Sequence, residues 1–236
     1  SLNAKDAILD DNPLSVGVVG TYSRRSANQV VAEADLVIFV GTRAGGMTTH
    51  FWTIPAKGTS TIQIDIDPLV NGRNYPTDVS IVGDARVTLE KMNELNIPVP
   101  KERVEWLKQV KAICTSYKID FKEVYESDAY PIRPERIVNE LSNGMPKNAV
   151  IVVDTGHSGM WMGGMFEKRH EGQSYIRSAG HLGWAFPAAL GAKCGAPHRP
   201  VVCFMGDLGF WYHMAEVETA VRAGINTITI INNNNS

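Results

Sequence analysis

The sequence predicts an α/β fold made of two blocks, each a parallel sheet in a three-layer arrangement with helices on both faces. Three observations predict it. Short apolar runs alternate with helix-like stretches along the chain. The runs end at Gly or Asp, at Gly41, Asp65, Asp154 and Gly206–Asp207. A Pro-bearing break, "NIPVPKER" with Pro98 and Pro100, separates the blocks.

The first block spans 1–97 and reads as part of a Rossmann-like domain. "SANQVVAEA" is a helix with Val30, Val31 and Ala34 on one side, and "DLVIFV" (35–40) is the strand after it. "TIQID" (61–65) is a second strand, followed by a Pro/Asn/Gly-rich loop. "VSIVGD" and the helix "ARVTLEKMNEL" complete the block. Residues 98–127 are a helical linker with an apolar stripe of Val104, Leu107, Val110 and Ile113, expected to pack between the blocks. The second block spans 128–236. "PERIVNELSNG" is a helix with Pro134 at its start and Gly144 past its end. "AVIVVD" (149–154), "PVVCFMGD" (200–207) and "NTITII" (226–231) are strands. "PAALGAKCGA" (187–196) and "HMAEVETAVRAG" (213–224) are helices, the latter stopped by Gly224.

Composition excludes several function classes. With 23 Lys and Arg against 25 Asp and Glu, the formal charge of −2 gives no basic face for nucleic acid. No 18-residue apolar run exists, so no membrane partner is expected. Cys114, Cys194 and Cys203 show no CxxC spacing and read as free, buried thiols of a reducing, cytoplasmic compartment. "SLNAKDAILD" has no signal-peptide pattern and no initiator Met. Arg24–Arg25 reads as a solvated pair. Asp65 ends a strand, where an acid binds a ribose hydroxyl or caps the next turn. The tryptophans Trp161, Trp184 and Trp211 read as core or interface residues.

The closing stretch, "GDLGFWYHMAEVETAVRAGINTITIINNNNS", carries the chemistry. In a parallel βαβ unit both strands end at the same sheet edge, where ligands of open α/β sheets bind. Asp207 ends one strand and the asparagine run ends the next. A carboxylate beside an amide oxygen is a hard-ligand pair suited to Mg²⁺ shared with phosphate oxygens. Gly206 and Gly209 let backbone N–H groups approach a phosphate.

Gly-Asp, a helix, a strand and Asn-Asn together resemble the thiamine-diphosphate motif, and the chain resembles the acetolactate synthase group of those enzymes. The resemblance covers nearly the whole chain, through "ADLVIFVGTR", "QIDIDP" (63–68), "VVDTGHSGMW", "AGHLGWAFPAALGAK" and the segment from Gly206 to Ser236. It makes 128–236 a thiamine-diphosphate/Mg²⁺-binding domain, truncated at its C-terminus, and 1–97 a partial central domain. It implies Asp207 and Asn234 as Mg²⁺ ligands through side-chain oxygens, with Ser236 supplying a backbone carbonyl. It places Gly156, His157 and Ser158 against the diphosphate and Gly180 and Leu182 at the aminopyrimidine. Leu182 stands where the family has an apolar wedge, often Met, that bends the cofactor. Gly206, Asp207, Leu208 and Gly209 complete the cofactor-binding set. Leu208 replaces the second Gly of the family's Gly-Asp-Gly, Gly209 its Ser, and His157–Ser158 its Gln-His. "TYSRR" and "RAGGM" replace the family's flavin-contacting segments, which makes FAD doubtful; an adenine nucleotide on "DIDP" and an empty domain stay open.

The resemblance implies decarboxylation and carboligation of 2-keto acids, as in acetolactate synthesis from pyruvate by the complete protein. Alternatives are an oxalyl-CoA or benzoylformate type lyase, or a catalytically dead nucleotide-binding homologue with Leu208 as the lesion. No G-x-G-x-x-G follows a strand and opens a helix, which argues against a Rossmann dehydrogenase. The family's activating Glu lies on an N-terminal domain of the partner subunit. The catalytic residue is therefore not assigned within this chain. The cofactor site is expected between subunits of a homo-oligomer, and the chain is expected to be an internal piece of a longer enzyme, inactive alone.

Overall fold

The computed structural model describes residues 1–178 and 180–234. The chain forms two compact units. One holds Ser1 and Val18–Ile119; the other holds Leu2–Gly17 and the chain from Asp120 onward.

The first unit contains α1 (Arg25–Glu33), β1 (Leu36–Val40), β2 (Ser60–Asp65), β3 (Val79–Val82), α2 (Ala85–Glu94) and α3 (Lys101–Tyr125) up to Ile119. The three strands are parallel, in the order β1-β2-β3. β2 is central and carries the fully buried Ile64. Gln63 beside it is also buried, and its amide is satisfied on both sides. It donates to the Thr42 carbonyl at 3.0 Å and accepts from Gly72 N–H at 2.9 Å, as a buried polar group requires. Leu36 and Ile38, on the same side of β1, remain exposed. Asp84 caps α2 by accepting from Val87 N–H at 3.0 Å. Asp65 and Asp67 both act as turn caps. Asp65 Oδ1 accepts from Asp67 N–H, and Asp67 Oδ1 from Leu69 N–H.

Two expectations are corrected here. Of the apolar stripe on α3, Val110 is buried and Ile113 half-buried, but Val104 and Leu107 are exposed; Tyr117 takes the second buried position. Tyr117 also explains why Arg24 is not solvated. The Arg24 guanidinium lies 5.9 Å from the Tyr117 ring centroid, and the residue is only 5% exposed. A planar, weakly hydrated guanidinium tolerates such a place on an aromatic face.

The second unit contains α4 (Pro134–Gly144), β4 (Val150–Val153), α5 (His157–Met165), β5 (Ser174–Arg177), α6 (Ala185–Gly195), β6 (Val201–Gly206), α7 (Asp207–His213), α8 (Glu216–Arg222) and β7 (Ile228–Asn232). Its four strands are all parallel, in the order β5-β4-β6-β7. β4 and β6 are central and buried on both faces. Ile151, Val153, Val202 and Phe204 point to the side covered by α4 and α5, where Val138, Met162 and Phe166 meet them. Val150, Val152, Val201, Cys203 and Met205 point to the other side, against Ala185, Phe186, Ala189 and Leu190 of α6. Each fully buried aliphatic or aromatic side chain contributes about 1.5–3 kcal/mol, so these two layers hold the sheet.

Three features differ from the sequence expectation. α5 and β5 are additional elements. The expected helix over 213–224 is the shorter α8, and a further helix, α7, precedes it directly after β6, joined to α8 through Met214 and Ala215. Gly224 does end the second one, with φ +64°. Finally, residues 2–17 lie with this unit, although the sequence reading places them in the first block. Their polar side chains stitch them down. Asp6 accepts from Tyr175 N–H of the edge strand β5 at 3.1 Å, and Asp10 accepts from Lys168 N–H at 2.8 Å. Lys168 Nζ donates to the Asp6 carbonyl at 2.7 Å, and Lys5 Nζ to the Gly163 carbonyl at 3.3 Å. Asp6 thus occupies an edge-strand donor that would otherwise be open to pairing.

Among the described residues no helix is long and apolar enough to cross a membrane. The thiols are free, but only Cys203 is fully buried; Cys114 is half-buried and Cys194, near the end of α6, is exposed.

Candidate functional site

The carboxyl ends of β4 and β6 lie side by side, because Val153 pairs with Phe204 in parallel register. Asp154 therefore emerges next to Gly206 and Asp207. On the other side of β6, Gly206 pairs with Asn232, so Asp207 and the asparagines leave the sheet from neighbouring strand ends. Asp207 lies in the first turn of α7 and is half-buried. Asn234 is exposed two residues beyond β7. Ser236 lies outside the described residues.

A second element start faces the same edge. Gly156, with φ +82°, turns the chain after β4 so that α5 can begin at His157. Ser158 is buried in the first turn. Its Oγ would lie 3.8 Å from a Cβ placed on Gly206, so the openings of α5 and α7 are in close register. The unpaired N–H groups of the first turn of α5 form a donor set suited to a phosphate. His157 is exposed, with its ring stacked on Trp161 at 5.7 Å.

The third component is the segment from Gly180 to Trp184. Ser178 Oγ holds its start, donating to the His181 carbonyl at 3.2 Å and accepting from His181 N–H at 3.3 Å. Gly180 is exposed, with φ +102°. Leu182 projects to the same edge, since its Cδ2 would lie 3.7 Å from a Cβ on Gly156. It stays 40% exposed, an apolar side chain standing over the strand ends. Leu208 is 58% exposed. Gly209 is buried against Gly183 and Asp154, and a Cβ on it would collide with Asp154 Oδ2.

The structure thus gathers Gly156, Ser158, Leu182, Gly206 and Gly209 in direct proximity, with Asp207 between Gly206 and Gly209 in sequence. Two residues of this edge were missed by sequence reasoning, Asp154 and Gly183. Asp154 is fully buried, and its Oδ2 accepts from Gly183 N–H at 2.9 Å. Its position at a strand end was visible in "AVIVVD"; its partner, 29 residues away in a glycine turn, was not. Behind it, burial first and then the Asp154 charge push the Cys203 thiol up to about 12, which keeps that thiol protonated and inert.

Among the described residues no group of three or more His, Cys, Asp or Glu side chains gathers as a metal centre. A divalent ion at this edge would have one carboxylate, Asp207, and would depend on amide, carbonyl and phosphate oxygens. That donor set fits Mg²⁺ bound together with a phosphorylated ligand.

Comparison with known proteins decides the family. Residues 1–92 match the sequence model described as thiamine pyrophosphate enzyme, central domain, and residues 154–236 match thiamine pyrophosphate enzyme, C-terminal TPP binding domain. The chain belongs to the thiamine pyrophosphate enzymes. Relatives of this thiamine pyrophosphate enzyme chain bear consistent names. It is 33% identical to the "Probable acetolactate synthase large subunit" of Methanococcus aeolicus, over 99% of this chain and 41% of the relative. It is 31% identical to the "Acetolactate synthase" of Arthrospira platensis, over 99% of this chain and 41% of that protein. With the "Acetolactate synthase large subunit" of Lactococcus lactis it shares 29% identity over 94% of this chain and 38% of the relative. The chain spans about two fifths of the length of these relatives. Its second matched segment begins at Asp154, the residue from which the candidate site is built.

Proposed function

We propose that the whole protein is a thiamine-diphosphate- and Mg²⁺-dependent enzyme of the acetolactate synthase type. It would decarboxylate one pyruvate and join the remaining two-carbon unit to a second, giving acetolactate and carbon dioxide. The observation that carries this reading is the convergence of Asp207, the asparagine run, the α5 start and Leu182 at one sheet edge, within the segment that matches the TPP-binding domain. When bound, thiamine diphosphate (the same molecule as thiamine pyrophosphate) supplies the electron sink for 2-keto acid decarboxylation.

The chain's own residues supply binding and orientation. Asp207 and Asn234 would hold Mg²⁺ through side-chain oxygens, with Ser236, outside the described residues, as the third ligand the family resemblance implies; the ion would offset the charge of the diphosphate. Backbone N–H groups of Gly156, His157 and Ser158 would meet the diphosphate oxygens. Leu182 would serve as the apolar wedge against the cofactor, and Gly180 would let the backbone approach the aminopyrimidine. Buried Ser158 and the close approach of Gly206 would limit water at the diphosphate end of the site. In this reading the central domain spans 1–97, with its residues 2–17 attached to the other compact unit, a helical linker spans 98–127 and the cofactor domain 128–236. The protein is a cytoplasmic homo-oligomer with the site between subunits. Exposed Leu208, Trp211 and Tyr212 on α7 support a covered surface beside the site.

A second reading, a lyase of the oxalyl-CoA or benzoylformate type, is favoured by one observation. Arg24 of "TYSRR", the segment that stands where the family's flavin contacts lie, is 5% exposed and packed on Tyr117, which supports a protein that works without flavin. Acetolactate formation from pyruvate by the complete protein, with thiamine diphosphate and Mg²⁺ and with or without FAD, separates the two. Product is expected. Bound cofactor without product would move the assignment to the second reading.

A further inference from the structure

Four segments meet at Asp154. Its backbone N–H donates to the Phe204 carbonyl of β6 at 3.0 Å. Its carbonyl oxygen is packed against α5, where a Cβ on Gly159 would come within 2.8 Å of it. Its side-chain Oδ2 accepts from Gly183 N–H at 2.9 Å. The same oxygen fills the space over Gly209 in α7, where no Cβ could stand. The residue is fully buried, and among the described residues Oδ1 has no hydrogen-bond partner.

A buried carboxylate with one of its two oxygens unpaired is a costly choice for a merely structural link. A neutral amide or hydroxyl acceptor could make the Gly183 bond without burying a charge. The carboxylate makes it stronger, since a hydrogen bond to an ionised acceptor exceeds a neutral one. The elements it joins are the turn that carries Leu182 and the helix start that carries Asp207.

Resting on the proposed thiamine-diphosphate site, we propose that Asp154 is a positioning residue for the cofactor. Its carboxylate fastens the Gly180–Trp184 turn to the first turn of α7 and so sets the separation of the apolar wedge, Leu182, from the metal-binding Asp207. A ligand that touches both ends of the site feels this separation. A ligand that touches only the metal end does not.

The test uses the full-length protein and two probes at saturating Mg²⁺, thiamine diphosphate and inorganic pyrophosphate, titrated calorimetrically. The variants are Asp154→Ala, Asp154→Asn and Gly209→Ala, each first shown to be folded by its near-UV circular dichroism. Asp154→Ala is expected to weaken thiamine diphosphate about tenfold or more, the loss of one hydrogen bond to a charged group, and magnesium pyrophosphate by under about threefold. Asp154→Asn keeps an acceptor for Gly183 N–H but not its charge, and is expected to rescue in part, binding thiamine diphosphate at least about threefold more tightly than Asp154→Ala. Gly209→Ala displaces the carboxylate without removing it and is expected to reproduce the alanine pattern. Equal losses for both probes, unchanged thiamine diphosphate affinity in Asp154→Ala, or failure of Asn to rescue would each overturn the inference alone. A parent protein that binds no thiamine diphosphate would overturn the proposed function with it.

Discussion

Replacing Gly183 by Ala puts a methyl group into a space already taken by fixed atoms. The added Cβ would lie 2.8 Å from the Gly209 carbonyl oxygen, 2.8 Å from Tyr212 Cβ and 2.9 Å from His213 Cδ2. The first two cannot be relieved by a rotamer change, because they move only with the backbone of α7. The residue also sits at φ +82°, where an L side chain costs about 1–2 kcal/mol. Overpacking adds about 1–3 kcal/mol. Together these predict a loss of roughly 2–5 kcal/mol, a fall in melting temperature of roughly 4–20 °C for a chain of this size. Gly191→Ala is the matched control. It lies exposed within α6, with no atom within 4 Å of an added Cβ. Alanine there should stabilise by about 0.5–1 kcal/mol, since glycine weakens a helix interior. Thermal unfolding followed by circular dichroism reads both. A Gly183→Ala melting temperature within about 2 °C of the parent, or shifts of the same sign in the two variants, would refute the packing argument.

Asp207→Ala should abolish Mg²⁺-dependent thiamine diphosphate binding in the full-length protein, measured by titration calorimetry; retained binding would remove Asp207 from the metal site. Native alkylation at pH 8 followed by mass spectrometry should label exposed Cys194 and spare Cys203, which should react only after unfolding. Cys203 also predicts an alkaline loss of stability. Its folded value of about 12 lies above the ordinary thiol value of 9.0. The unfolded state therefore releases its proton first as pH rises. The stabilisation is complete below about pH 8.5 and is lost from there toward pH 12, which urea unfolding across that range will show. Asp10→Ala should destabilise the second unit by about 3 kcal/mol, because it removes the buried carboxylate 3.9 Å from buried Lys5 and takes away the acceptor of Lys168 N–H; a change under about 0.5 kcal/mol would mean the N-terminal segment is not held by this cluster.

The second unit's sheet was readable because its central strands announce themselves. "VIVV" and "VVCFM" are apolar at every position, as burial on both faces demands. α4 was bounded by Pro134 and Gly144, both of which the structure keeps within the helix as its first and last residues. α5 was not readable, because "HSGMWMGGM" is apolar all round and rich in glycine, so it has no amphipathic period. β5 is four residues with a single buried side chain, Tyr175. The start of α7 was hidden by Gly206 and Gly209, which look like loop residues but serve close approach. Gly209 makes room for the Asp154 carboxylate. At the site, Asp207 and the asparagines were legible from the βαβ spacing alone. The Asp154–Gly183 bond was not, since no periodicity links a strand end to a turn 29 residues later. The same holds for the segment 2–17, whose attachment depends on Asp6, Asp10 and Lys168 meeting across more than 150 residues.

The most direct test of the account is titration of the full-length protein with thiamine diphosphate, once with Mg²⁺ and once with the ion removed by chelator. Saturable one-to-one binding that requires Mg²⁺ is the predicted result. Absence of binding in both conditions, or binding indifferent to the ion, would contradict a cofactor site built on Asp207 and the asparagine run.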